Sequence, residues 1–111
     1  MSGGASVVAN DSGDNDQGAA RLRLYVARDT PNSARAERNL MAALKDLGGG
    51  GLVLEVVDVF THPKRAITDG VIVTPMLIGL RTKGRLIMIG DLTDTAKLMA
   101  LLQSLLDSAG R

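Results

Sequence analysis

A chain of 111 residues is long enough for one hydrophobic core and too short for two. Its 13 basic and 12 acidic residues leave a net charge of +1, and with one Tyr, one Phe and no Trp it has neither the charge nor the stacking surface of a nucleic-acid binder. The absence of cysteine excludes disulfides, thiol catalysis, cysteine-bound zinc and iron–sulfur clusters together, and fits a reducing compartment.

Residues 1–20 are rich in Gly, Ser, Asn and Asp. Such a segment buries too little to offset its ordering entropy, and the expectation is a disordered tail. Val7-Val8 is its one apolar spot, where a short docking strand is the lesser option. No basic region followed by an apolar core opens the chain, and no apolar run reaches membrane-spanning length, so the expectation is a cytoplasmic protein without a membrane partner.

Order is expected from Arg21. Leu22, Leu24 and Val26 alternate with Arg23 and Tyr25 as one strand over Leu22–Ala27. Thr30 then fits the cap of a helix whose first residue is Pro31, the position where proline costs nothing. Ala36, Leu40, Ala43, Leu44 and Leu47 form its apolar stripe, and four glycines, Gly48–Gly51, end it. Leu52–Val59 is an apolar, largely β-branched run that reads as a strand covered on both faces and, through a right-handed crossover, parallel to the first. Pro63–Asp69 fits a short helix stopped by Gly70.

The stretch Val71–Leu80 organises the second half. Proline cannot donate to a sheet ladder, so Thr74-Pro75 must be a sharp entry to a strand over Met76–Leu80, and such an X-Pro bond is a candidate for the cis isomer. Thr82-Lys83-Gly84-Arg85 is a turn into Leu86–Ile89, which makes an antiparallel hairpin. Gly90–Asp94 leads into a last helix, capped by Thr93 or Asp91, with Asp94 facing the positive end of its dipole. Leu98, Leu101, Leu102, Leu105 and Leu106 form its buried stripe, and 108–111 are expected to fray. The resulting order, β-α-β-α-β-β-α with a mixed sheet over 21–107, is the minimal thioredoxin-like arrangement. In that arrangement a redox Cys-x-x-Cys opens the first long helix; here the stretch is Thr30-Pro31-Asn32-Ser33.

These residues resemble a specific family. Leu24-Tyr25-Val26-Ala27, Thr30-Pro31-Asn32-Ser33, Val57-Asp58-Val59, Pro63, Asp69, Thr74-Pro75 and Gly90-Asp91-Leu92 are similar, in order, to the motifs of the circadian-clock KaiB family, over about residues 22–106. The resemblance implies a non-enzymatic protein without a cofactor that binds the hexameric KaiC-like ATPase and modulates its phosphorylation cycle. It also implies self-association as a dimer or tetramer, and encounters with a KaiA-like protein or a histidine kinase. It further implies a second fold in which the C-terminal half is rearranged. The residues it marks as partner-binding or fold-determining are Tyr25, Thr30, Pro31, Asn32, Ser33, Asp58, Thr74, Pro75, Gly90 and Asp91. Two departures stand out: Arg81–Arg85 replaces the family's proline-rich stretch, and Arg28-Asp29 stands where Gly-Asn is usual. The first favours an ordinary hairpin and so the thioredoxin-like state.

Each marked residue also has a plain reading. Thr30–Ser33 is helix-capping chemistry. Asp58 is a loop acceptor, and Asp91 and Asp94 are caps rather than an acid–base pair. His62 is the lone histidine, expected on the surface, and cannot by itself assemble a triad or a metal site. Lys64, Arg65, Arg81, Lys83 and Arg85 form a basic rim, either solvated or facing an acidic partner. The competing functions are a glutathione-transferase-type enzyme relying on Ser33 or Tyr25, and a purely structural oligomer.

Overall fold

The computed structural model describes residues 5–7, 20–48, 51–81 and 84–109. Its elements are β1 (Ala5–Val7), β2 (Ala20–Val26), α1 (Pro31–Asp46), β3 (Leu52–Asp58), α2 (Pro63–Thr68), β4 (Met76–Leu80), β5 (Arg85–Ile89) and α3 (Thr95–Ala109). They build one five-stranded sheet in the order β1-β3-β2-β4-β5, with β2 and β3 parallel and every other pairing antiparallel. From β2 onward this is the expected thioredoxin-like arrangement.

Alternation along the strands divides the core in two. Leu22, Leu24, Val26, Leu52, Leu54, Leu77 and Met88 face one side of the sheet and pack with Leu40 and Leu44 of α1 and Leu98, Leu102 and Leu105 of α3. Tyr25, Val57, Met76 and Ile78 face the other side and pack with Ala66 of α2. α3 approaches β4 closely at Gly79, where an added Cβ would lie 2.7 Å from Leu105 Cδ1. α1 ends as expected: Gly48 takes φ +80, and its N–H donates to Lys45 O at 3.0 Å.

Four expectations need correction. Residues 1–20 are not uniformly without structure: β1 pairs with β3, Ala5 opposite Val57 and Val7 opposite Glu55, and β2 begins at Ala20. Docking on the open edge of β3 supplies the backbone partners that β1's own composition cannot. The rest of that segment lies outside the described residues, as do Gly49-Gly50 and Thr82-Lys83 of the two turns. α3 runs through Ser108 to Ala109, into the part expected to fray; 110–111 lie outside the described residues. α3 is capped by neither Thr93 nor Asp91 but by Asp94, whose Oδ1 accepts the Lys97 N–H at 3.1 Å. Thr30 occupies the cap position of α1 with extended backbone, yet its side chain makes no capping hydrogen bond.

Candidate functional site

The strand register brings the marked residues to one end of the sheet. Val26 lies opposite Asp58, Tyr25 opposite Met76, and Met76 opposite Ile89. The ends of β2, β3 and β5 and the start of β4 therefore coincide. The loops there carry Thr30–Ser33, Asp58, Thr74-Pro75 and Gly90-Asp91. The Thr74-Pro75 bond is cis, Pro75 is buried, and its carbonyl accepts the Gly90 N–H at 3.0 Å.

Each loop is held by its own side chains. The buried Ser33 hydroxyl accepts the Ala27 N–H at 3.0 Å, and the Thr30 hydroxyl turns back to donate to Ala27 O at 2.7 Å, which is why it does not cap α1. Asp29 sits at φ 71, a conformation that Asp tolerates better than most residues. Asp58 is 3% exposed, and its carboxylate accepts from the Phe60 N–H, the Thr61 hydroxyl and Arg28 Nε at 3.0–3.1 Å. Burial alone would raise its pKa, but these donors outweigh it and hold the carboxyl below its usual range. Asp58 is thus the loop acceptor expected of it.

Asp91 ties the end of β5 to α1. Its Oδ2 accepts from Arg35 Nε at 3.3 Å, its carbonyl from Asn39 Nδ2 at 2.8 Å, and its Oδ1 from the Thr93 hydroxyl at 2.5 Å. The Thr93 hydroxyl, followed by the Thr93 N–H and Arg35, holds its carboxyl below the usual range against a smaller desolvation cost. Arg35 also donates to Asn32 Oδ1 at 2.6 Å, so the helix start and the Gly90-Asp91 loop form one surface. Leu92 follows at φ 62, a strained position for a branched side chain, and is buried in the core.

Tyr25 is the exception. Alternation turns its side chain to the α2 face, where its hydroxyl lies 2.6 Å from Asp69 Oδ2 and 3.1 Å from Arg65 O. Burial, then the hydrogen bond to Asp69, pushes its pKa up to about 12. Around it stands a network that sequence reasoning missed. Arg23 Nη1 donates to Asp69 Oδ2 at 2.7 Å and its Nε lies 3.4 Å from Glu55; Arg65 grips Glu55 with both terminal nitrogens, Nη2 at 2.6 Å. Arg65, and less strongly Arg23, hold the Glu55 carboxyl below its usual range. The opposition of Arg23 and Glu55 on neighbouring strands was the available signal, but it needs the parallel register to be read. Arg23, Tyr25, Lys64, Arg65, Thr68 and Asp69 line an open pocket of about 240 Å³. Asp69, the acid that lines it, is already paired with Arg23 and Tyr25, so the pocket offers hydrogen bonding rather than a free base.

The basic rim is partly consumed: Arg65 is paired with Glu55, and Arg85 donates to Asp69 O at 3.1 Å. His62 is half-buried rather than on the surface, and its enclosed Nδ1 has no hydrogen-bond partner among the described residues. Among the described residues no group of three His, Asp or Glu is arranged to hold a metal ion.

With this geometry in hand, comparison with known proteins is specific. The KaiB domain model matches residues 23–104. The circadian clock oscillator protein KaiB of Rippkaea orientalis is 40% identical over 78 residues, which cover 70% of this chain and 75% of that protein. KaiB1 of Synechocystis is 38% identical over 86 residues, 78% of this chain and 82% of that protein. Among solved structures, the N-terminal domain of Synechococcus elongatus SasA superposes with a TM-score of 0.65 at 22% identity, covering 80% of this chain and 84% of that one. Thioredoxin from Trypanosoma brucei brucei superposes with a TM-score of 0.69 at 17% identity, covering 92% of each. At these identities the structural likeness speaks for the fold alone.

Proposed function

This chain belongs to the KaiB family, and from that premise we propose that it is a clock-type regulator that binds a KaiC-like hexameric ATPase and modulates its phosphorylation and ATPase cycle. The observation that carries the reading is the convergence of Thr30–Ser33, Asp58, Thr74-Pro75 and Gly90-Asp91 at one end of a cysteine-free sheet. In a thioredoxin layout that end is where a redox disulfide would act. Here it presents hydrogen-bonded loops and the Arg35–Asp91 pair, a shaped and charged surface suited to another protein.

A glutathione-transferase-type activity gains no support from the same geometry. The Ser33 hydroxyl is buried and holds the Ala27 N–H, and the Tyr25 hydroxyl is committed to Asp69, with a raised rather than lowered pKa. The protein acts in this reading by binding, without a cofactor, in the cytoplasm; no described helix is long and apolar enough to cross a membrane. Self-association, a KaiA-like partner or histidine kinase, and a rearranged C-terminal half in the free protein belong to the same proposal. The test is size-exclusion chromatography with a cognate KaiC-like ATPase, with and without nucleotide. Co-elution in at least one nucleotide state is expected, and its absence in every state overturns the reading.

A further inference from the structure

The pocket beside Tyr25 is built from two elements. β2 brings Arg23 and Tyr25 to it, and α2 brings Lys64, Arg65 and Thr68, with Asp69 at the helix end. Lys64 and Thr68 are four residues apart, so one face of the helix carries both. Both are exposed, and neither makes an ion pair or a side-chain hydrogen bond with any described residue.

Charge around the pocket is uneven. Arg23, Lys64 and Arg65 line it, and Arg85 reaches its edge by donating to Asp69 O at 3.1 Å. Against these four cations stand two carboxylates, Asp69 and Glu55, one bound by Arg23 and the other by Arg65. The whole chain has a net charge of +1, so an excess of two positive charges here is a local concentration. The ion pairs hold the two guanidinium groups in place without exhausting them. Arg23 spends Nε and Nη1, and Arg65 spends Nη1 and Nη2. Nη2 of Arg23 and Nε of Arg65 keep N–H groups that no described residue accepts.

We propose that this pocket binds a small phosphate-type dianion, either free phosphate or the phosphate group of a small monoester. Lys64 Nζ supplies the uncompensated charge. The Thr68 hydroxyl and the unspent guanidinium N–H groups supply directed hydrogen bonds. Asp69 does not oppose the anion with a bare carboxylate, because the Tyr25 hydroxyl and Arg23 both donate to its Oδ2. A dianion matches the local excess of charge, whereas a monocarboxylate leaves half of it unmet. Size agrees: about 240 Å³ falls below the roughly 300–1,000 Å³ of pockets for drug-sized ligands, which suits a small anion and not a nucleotide. The proposal goes beyond the ATPase reading and does not depend on it. Anion binding is measured on the chain alone, so its failure and the failure of ATPase binding are separate results.

The test is titration of the ¹⁵N-labelled full chain with sodium phosphate at about pH 8, where the dianion prevails. Glycerol 3-phosphate is the second arm, and acetate at matched ionic strength is the control. Phosphate should saturate with a Kd below about 10 mM. Its amide shifts should concentrate at 64–69 and 23–25. Equal affinity for the ester means that the phosphate group alone is recognised, and tighter binding of the ester means that its organic stem is held as well. Lys64→Gln should weaken binding about fivefold or more, and Thr68→Val about twofold or more. Both residues are exposed, so far-UV circular dichroism should be unchanged in either variant. Lys45→Gln, on α1 across the sheet, should leave the affinity as it is. Phosphate that does not saturate, acetate that binds equally well, or a Lys45→Gln variant weakened as much as Lys64→Gln overturns the proposal; the last would mean diffuse attraction to surface charge.

Discussion

Tyr25 is the single phenol of a chain without tryptophan, so its ionisation can be followed at 295 nm without interference. Its hydroxyl donates to a carboxylate already held by Arg23, and ionising it would place two anions 2.6 Å apart in a largely buried site. The titration midpoint should therefore lie near 12, and Asp69→Asn should bring it toward the ordinary value near 10. Because the folded value is the raised one, this group's contribution to stability is complete below pH 10 and disappears as pH climbs from 10 to 12. Asp58 works with the opposite sign. Its folded pKa is depressed, so its contribution is present above about pH 4, the unfolded value, and lost as pH falls through the folded one. Asp58→Ala strips the Phe60 N–H, the Thr61 hydroxyl and Arg28 of their shared acceptor and should cost about 1–3 kcal/mol in urea unfolding at pH 7, a difference that shrinks as pH is lowered below about 4. At this scale the sequence is legible where a residue's job is local. Asp58 reads as a loop acceptor from its place after a strand. Tyr25 does not reveal Asp69, because that partner is 44 residues away and its approach depends on how α2 docks.

Elements that carry a full periodic stripe declare themselves: α1, α3 and the β4–β5 hairpin lie close to where their apolar spacing places them. α2 differs, since six residues cannot hold a helix in isolation and must be pinned from outside. Ala66 alone supplies its buried apolar contact, so the Arg65–Glu55 pair, bidentate and half-buried at the sheet, is the second anchor. A double-mutant cycle with Arg65→Leu and Glu55→Gln should return a coupling of about 0.5–1 kcal/mol, reduced by salt because both groups remain partly exposed. Nothing in the local pattern encodes this pair, for Glu55 merely interrupts an apolar strand. Gly79 is hidden for the same reason. It reads as an ordinary weak point in a strand, yet the backbone there must stay bare for Leu105 of α3 to seat against it. Gly79→Ala should cost about 1–3 kcal/mol by overpacking, measured as a lower urea midpoint with an unchanged slope.

For the whole molecule, the order of elements, the parallel β2–β3 pair and the β4–β5 hairpin follow from alternation, crossover handedness and the proline-marked entry to β4, all legible in the chain, whereas the antiparallel seating of β4 on β2 has no local signal. Nor is β1 legible there. β1 is three residues long, and its stability comes from backbone groups of β3 that a parallel neighbour on one side leaves open on the other. Composition measures what a segment can bury by itself and is blind to such a borrowed edge. The consequence is testable by removing residues 1–10. The remaining sheet keeps both apolar clusters, so far-UV circular dichroism should be retained and the melting temperature should shift by no more than a few degrees, roughly the effect of 1 kcal/mol in a domain of this size. Amide exchange, in contrast, should rise by about tenfold or more at those β3 residues whose N–H groups face β1, which lie within Glu55–Val57, and stay unchanged in β2 and β4. Unchanged exchange in β3 would mean that β1 does not protect that edge.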